Sequence, residues 1–386
     1  MKELQSILET LDSFQKVELE DIRHFFGAEV SSRTRKKDLV CKLKAYIVDE
    51  PALWLDRMLE RDLRLLKLLV QAGPEVPVRL EYADYPSVLE TIHLLGTDNS
   101  DDRYRYVWIP KELYDVVATK VDSAILRGEE SGRFEMDQAS LGYLSLYGVM
   151  TTDTYYDCMA EYWEYSHRGS FDSFIDTLYN SPVLKIGRMD IEGVPYVVAP
   201  QVVSAEDVLN ARESDPEMGL KPFTVPQALE AGARAPHFVY GADSPEGKEV
   251  LNVLSSLNCF GEEAMLEMHD IWMNSQMVGK EDSTEEIFKF VNDRQDLIPS
   301  FSEYDACMRA IAAYANSLPK WILGGHSSDE VKRMAIVLQG DSDDPLEELV
   351  AKNPLLGLFV PPSPADAPCP CGSGLSYRFC HGRYKN

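Results

Sequence analysis

Apolar residues recur along most of this chain at the spacing of an α-helix and only briefly alternate as they do in a strand. Leu4, Ile7, Leu8 and Leu11 share one helical face, and so do Leu19, Ile22, Phe25 and Phe26, after which Gly27 supplies a stop. A loop over Ala28–Ser32 leads to a third helix carrying Leu39, Leu43 and Ile47. Residues 1–50 thus read as a first helical unit. A leucine-rich helix is expected from Leu53 to Ala72, halted by Gly73 and Pro74, and another from Pro86 to Leu95. After a polar turn over Thr97–Asp102, the stretch Tyr104-Arg105-Tyr106-Val107-Trp108-Ile109 alternates like a strand, and Pro110 opens a further helix. Residues 51–125 form the second unit.

The plan then repeats over 126–212. Helical patterns cover Asp137–Tyr147, Thr151–Tyr165 and Phe171–Tyr179. Strands are expected at Val183–Met189 and Val194–Ala199, joined by a turn at Ile191-Glu192-Gly193, with Pro200 and a helix over Ala205–Arg212 following. Helices followed by a small β-element, twice over, resemble a tandem pair of winged helices. The third helix of the second copy carries two aspartates and no Arg or Lys, which suits protein binding better than DNA binding. Residues 213–244, with Pro216, Pro222, Pro226 and Pro236, read as a linker or extended loop. From 245 to 360 helices return over Lys248–Leu257, Glu262–Met277, Thr284–Asp293 and Tyr304–Ser317. A sharp Gly324-Gly325-His326 turn follows, then a helix over Asp329–Leu338 with Ser327 and Glu330 as its capping box. A short helix over Pro345–Ala351 and a proline-rich tether over Pro361–Pro368 precede the final stretch of the 361–386 unit. The expected fold class is mainly α with small β-wings, in several domains.

Charge changes this picture at one place. The net charge is −26, so the surface as a whole repels nucleic acid and anionic membrane. Yet Arg33, Arg35, Lys36, Lys37, Lys42 and Lys44 face a single acid, Asp38, within twelve positions, a footprint for phosphates. Helix, extended loop and basic helix resemble the SAP and Rho N-terminal class of nucleic-acid-binding modules.

The chemistry is concentrated at the other end. In Pro368-Cys369-Pro370-Cys371-Gly372-Ser373-Gly374-Leu375-Ser376-Tyr377-Arg378-Phe379-Cys380-His381-Gly382, three cysteines and a histidine fall within thirteen positions. Thiolates and imidazole are the donors that close a tetrahedral zinc site. Pro370 stiffens the first pair, Gly372 and Gly374 permit positive φ, and Ser373 suits a helix N-cap. The stretch Asp366–Lys385 resembles the SEC-C motif, the zinc-binding tail of the SecA translocation ATPases. That resemblance implies Cys369, Cys371, Cys380 and His381 as ligands of a structural Zn²⁺ knuckle, and binding to chaperones or ribosomes rather than catalysis. Leu375 and Ser376 stand where SecA tails carry lysines, while Arg378, Arg383 and Lys385 retain positive charge for a partner. A peptide this small has almost no core, so the metal would supply most of its folding energy, about 10–16 kcal/mol.

The remaining cysteines, Cys41, Cys158, Cys259 and Cys307, are scattered and make no disulfide framework. Met1-Lys2-Glu3-Leu4 has no hydrophobic signal core and no apolar run reaches spanning length, so a cytoplasmic protein is expected. No Gly-x-Gly-x-x-Gly, phosphate loop, His-Glu-x-x-His or Gly-x-Ser-x-Gly occurs. Ser317-Leu318-Pro319-Lys320 matches Ser-x-x-Lys by letters only, because Pro319 breaks the helix that motif needs. His237 and His326 lack neighbouring ligands and read as structural. The expected function is a non-catalytic, zinc-binding adaptor for a protein partner. The alternative is association with nucleic acid or the ribosome through 33–44.

Overall fold

The computed structural model describes residues 6–81, 87–99, 104–213, 219–233, 241–257, 264–276, 298, 300–331 and 376. It is mainly helical with two small antiparallel sheets. The chain divides into two compact units, Met1–Ser140 with Tyr156–Met189, and Leu141–Tyr155 with Asp190–Asn386.

The first unit opens with α1 (Ile7–Ser13), α2 (Lys16–Phe26) and α3 (Lys36–Asp49). Ser6 and Glu9 form a capping box that starts α1, and Gly27 at φ 68° closes α2 in the left-handed conformation a glycine adopts without strain. Ile7, Leu11, Leu19, Ile22, Phe26, Leu39, Leu43 and Ile47 are buried as the apolar spacing expects, whereas Leu8 is 39% exposed and Phe25 only partly buried. The single helix expected over Leu53–Ala72 is instead two, α4 (Pro51–Leu55) and α5 (Glu60–Ala72). Leu59 is extended, with φ −63° and ψ 152°. The corner is held because the Trp54 indole donates to the Ile47 carbonyl at 3.0 Å and Arg133 Nη1 donates to the Met58 carbonyl at 2.7 Å.

Next come β1 (Val78–Glu81), α6 (Val88–Thr91), β2 (Gly96–Asp98), β3 (Tyr104–Trp108), α7 (Lys111–Val117) and α8 (Val121–Ser131). The expected strand and the helix after Pro110 are present. The expected helix over Pro86–Leu95 shrinks to α6, and the expected turn from Thr97 begins as β2. The sheet order is β1-β3-β2, antiparallel, with Val78 opposite Val107 and Gly96 opposite Trp108. Gly96 is required because the Trp108 ring covers it; a Cβ there would lie 2.1 Å from Trp108 Cε2. Beneath the sheet, Glu90 and Arg105 form a buried ion pair at 3.0 Å.

α9 (Arg133–Tyr147) and α10 (Thr152–Ser166) each begin in one unit and end in the other. Between them lies β4 (Val149–Thr151), and after them α11 (Phe171–Asn180), α12 (Pro182–Gly187), β5 (Arg188–Ile191) and β6 (Val194–Val198). The strand expected over Val183–Met189 is mostly α12. Ser181 caps it, accepting from the Val183 N–H at 3.2 Å, with Pro182 in the first turn. The second sheet has the order β4-β6-β5, with β4 antiparallel to β6 and Val149 opposite Val198.

The second unit continues through α13 (Ala205–Glu213), α14 (Val225–Ala233), α15 (Pro245–Ser256), α16 (Ala264–Gln276) and α17 (Phe301–Ser317) to a 3₁₀ turn at Trp321–Leu323. The stretch 213–244, expected as a linker, contains α14, whose Ala228 backbone approaches Gly142 of α9 so closely that a Cβ there would meet the carbonyl oxygen at 1.7 Å. Arg212 fixes the end of α9. Its guanidinium donates to the carbonyls of Tyr147, of Val149 at 2.7 Å and of Trp321 at 2.7 Å. Of the helix expected over Asp329–Leu338, residues 328–331 are described and helical, with the Ser327–Glu330 capping box in place. The expected helices at Thr284–Asp293 and Pro345–Ala351 and the tether over Pro361–Pro368 lie outside the described residues. Among the described residues, no helix is long and apolar enough to cross a membrane.

Candidate functional site

Three places carry candidate chemistry. The first is the Cys/His cluster. Cys369, Cys371, Cys380 and His381 lie outside the described residues, as do Arg378, Arg383 and Lys385. The donor set itself fits zinc, because three thiolates and an imidazole match its preference for soft and borderline ligands and fill four positions. Among the described residues, no group of three His, Cys, Asp or Glu is placed to hold a metal ion.

The second place is the start of α3, where the structure separates the six basic residues into two kinds. Lys44 Nζ is 2.6 Å from a Glu112 carboxylate oxygen, which cancels its charge. Lys36 Nζ donates to the Asp12 carbonyl at 2.7 Å. Arg33, Arg35, Lys37 and Lys42 are exposed and form no ion pair among the described residues. Arg33, Arg35 and Lys42 line one shallow depression with Thr34, Asp38 and Cys41. Arg35 is the N-cap of α3 and provides no side-chain cap, so the positive end of the helix dipole adds to the same surface. Lys16 Nζ donates to the Ser32 carbonyl at 3.0 Å and ties the connecting loop to α2.

The third place was not legible as a site. Around the 319–327 turn, Gln276, Lys320, His326 and Glu330 are buried together. Gln276 accepts from the Trp321 N–H at 3.0 Å and donates to the carbonyls of Trp272 and Pro319 at 3.0 and 3.2 Å. Lys221 Nζ meets Glu330 at 2.7 Å, and His326 Nδ1 stands 3.9 Å from the same carboxylate. Burial pushes the Glu330 carboxyl up, but the Lys221 ammonium, the Ser327 N–H and His326 together hold it below the ordinary value. The Ser327–Glu330 spacing marks the cap. No local pattern marks Lys221, which lies 109 positions from its partner. These bonds lock the turn in one shape; His237 lies outside the described residues.

Comparison with known proteins bears on the first place. Residues 367–383 match the SEC-C motif family. A 25-residue segment is 75% identical to the protein translocase subunit SecA of Acinetobacter baylyi, covering 6% of this chain and 3% of that protein. No solved structure matches the chain. The likeness is therefore confined to the motif, and within it the chain carries a SEC-C motif at residues 367–383.

Proposed function

We propose that this protein is a non-catalytic, zinc-binding adaptor that recognises a protein partner through its helical body and its SEC-C knuckle, in a reducing cytoplasm. The carrying observation is the SEC-C match with all four donors present. Cys369, Cys371, Cys380 and His381 would hold the ion. Four protein donors leave no open position for water or substrate, so the metal supplies shape rather than reactivity. The exposed free thiol of Cys41 suits a reducing compartment. Two winged-helix-like units within the body are part of this reading. Its support is that both sheets run in the order first-third-second strand, with the short α6 between the first and second strands of one and α10, α11 and α12 between those of the other. The test is affinity capture with the full chain and with a chain lacking residues 361–386. Partners lost on deletion carry the proposal; identical partner sets defeat it.

A second reading, phosphate-backbone binding through the start of α3, is favoured by Arg33, Arg35, Lys37 and Lys42 standing exposed in an acidic chain and, among the described residues, outside any ion pair. Reversal of Arg35, Lys36 and Lys37 to glutamate should abolish binding to RNA or ribosomes at low salt.

A further inference from the structure

Helix α11 has two apolar edges. Phe174 and Leu178 form one and are buried. Phe171, Ile175 and Tyr179 form the other, each four residues from the next, and therefore stack as a single ridge about 12 Å long. That ridge reaches solvent. Phe171 is 44% exposed and Tyr179 53%, with Ile175 half-buried between them. One such residue is ordinary; three in register along a helix are an unpartnered face.

The ridge is rigidly backed. The Trp163 ring of α10 meets Phe171 edge-on, with centroids 5.0 Å apart, and Tyr156 lies 5.9 Å from Tyr179. Such support lowers the entropy cost of docking. Next to the ridge runs a polar one, with Asp172 and Asp176 both exposed, and α11 contains no Lys or Arg. On α10, Asp157 and Glu164 add exposed carboxylates. The nearby Arg168 is engaged by Glu135 at 3.1 Å. Arg188 acts on the Tyr156 phenol at the Tyr179 end of the ridge, but the exposed carboxylates Asp157, Glu164, Asp172 and Asp176 outnumber it, so the complement of this apolar ridge is one bordered by cations.

We propose that the Phe171–Ile175–Tyr179 ridge of α11 docks an amphipathic helix of a protein partner, one whose own apolar ridge is flanked by lysine or arginine. This rests on the adaptor reading and gives it a surface on the body, apart from the knuckle. The contact is the helix-against-ridge kind, with Asp172 and Asp176 selecting the sign of the partner's flanks.

The experiment uses the full chain and two labelled helical peptides of about 14 residues. They share one leucine ridge and carry either Lys or Glu at the flanking positions. Fluorescence anisotropy should show the Lys peptide binding and the Glu peptide not. Phe171→Ser with Tyr179→Ser should weaken that binding about tenfold or more. Asp172→Lys with Asp176→Lys should transfer binding to the Glu peptide, and this second variant decides the matter if the first fails to fold. Equal binding of the Lys peptide to the wild type and the ridge variant would reduce the effect to bulk charge attraction and overturn the proposal. So would self-association, measured by sedimentation, that the ridge variant loses, because the face would then belong to a second copy. Removal of residues 361–386 should leave peptide binding unchanged. Peptide binding without tail-dependent capture sinks the knuckle's role alone, and the reverse sinks the ridge alone.

Discussion

The salt dependence of polyanion binding is the sharpest quantity the structure offers, because it counts phosphate contacts. Six basic residues between Arg33 and Lys44 would release about six counterions if all met phosphates. The geometry leaves four. Lys44 is neutralised by Glu112 at 2.6 Å, and the Lys36 amine is turned onto the Asp12 carbonyl at 2.7 Å. For duplex, a slope of about −0.9 per contact gives about −3.6 in log K against log salt, or a loss of about 150-fold between about 50 and 200 mM. Six contacts would give about −5.4 and a loss of about 2,000-fold. Anisotropy of a labelled duplex, titrated at several salt concentrations, separates the two. Lys42→Gln should flatten the slope by about 0.9, and Lys44→Gln should leave it where it was. Absence of binding at the lowest salt refutes the second reading outright. A Lys44→Gln effect as large as that of Lys42→Gln refutes the assignment of pairs.

Three further outcomes are expected. Chelation should release zinc and make Cys369, Cys371 and Cys380 alkylatable, while far-ultraviolet circular dichroism of the body changes little; unchanged thiol reactivity after chelation would count against a metal site. Asp62 is only 2% exposed, and burial, opposed by Arg61 and reinforced by Glu90, pushes its carboxyl up to about 6. Because the folded value exceeds that of an unfolded aspartate, near 3.9, its stabilising contribution is complete below about pH 4 and is lost as pH rises through about 6, a change of about 3 kcal/mol. Asp62→Asn should therefore gain on the wild type by that amount across this window in urea melts, and a gap that does not vary with pH would defeat the argument. Gly142→Ala, which in an ordinary helix would stabilise, should here cost about 1–3 kcal/mol or more in the same melts. Its Cβ would collide with the Ala228 carbonyl at 1.7 Å, and backbone cannot turn aside as a side chain can.

What the chain disclosed in advance, and what it hid, divide along a physical line. Helices with one apolar face and a local stop were legible: Gly27 ends α2, Ser327 and Glu330 cap the helix that starts at 328, and Phe171–Asn180 is helical as spaced. Short strands were not, since β2 and β4 have three residues each and exist only through their partners β3 and β6. At 182–187 two local signals conflicted. The run Val183, Leu184 and Ile186 suggested a strand, but Ser181-Pro182 is a helix start, and the cap prevailed with Ser181 Oγ held by Asp137 at 2.6 Å. The stretch 213–244 looked like a linker because it is rich in Pro, Gly and Ala. Those small residues are what allow α14 to lie against Gly142.

The same line runs through the sites. The zinc donors are legible because a knuckle is local: its ligands are close in sequence, and nothing distant is needed to recognise them. The basic segment was legible as charge but not as available charge, since Glu112, which silences Lys44, is 68 positions away in the chain. The α11 ridge shows a third case. Its helical spacing and its lack of Lys or Arg were visible from the start, but periodicity reports that a face is apolar and not whether something covers it. The apolar face of α11 was wide enough for two edges, and the fold buried only Phe174 and Leu178. A helix with more apolar surface than its own domain uses is the form a docking face takes when it is written into a sequence.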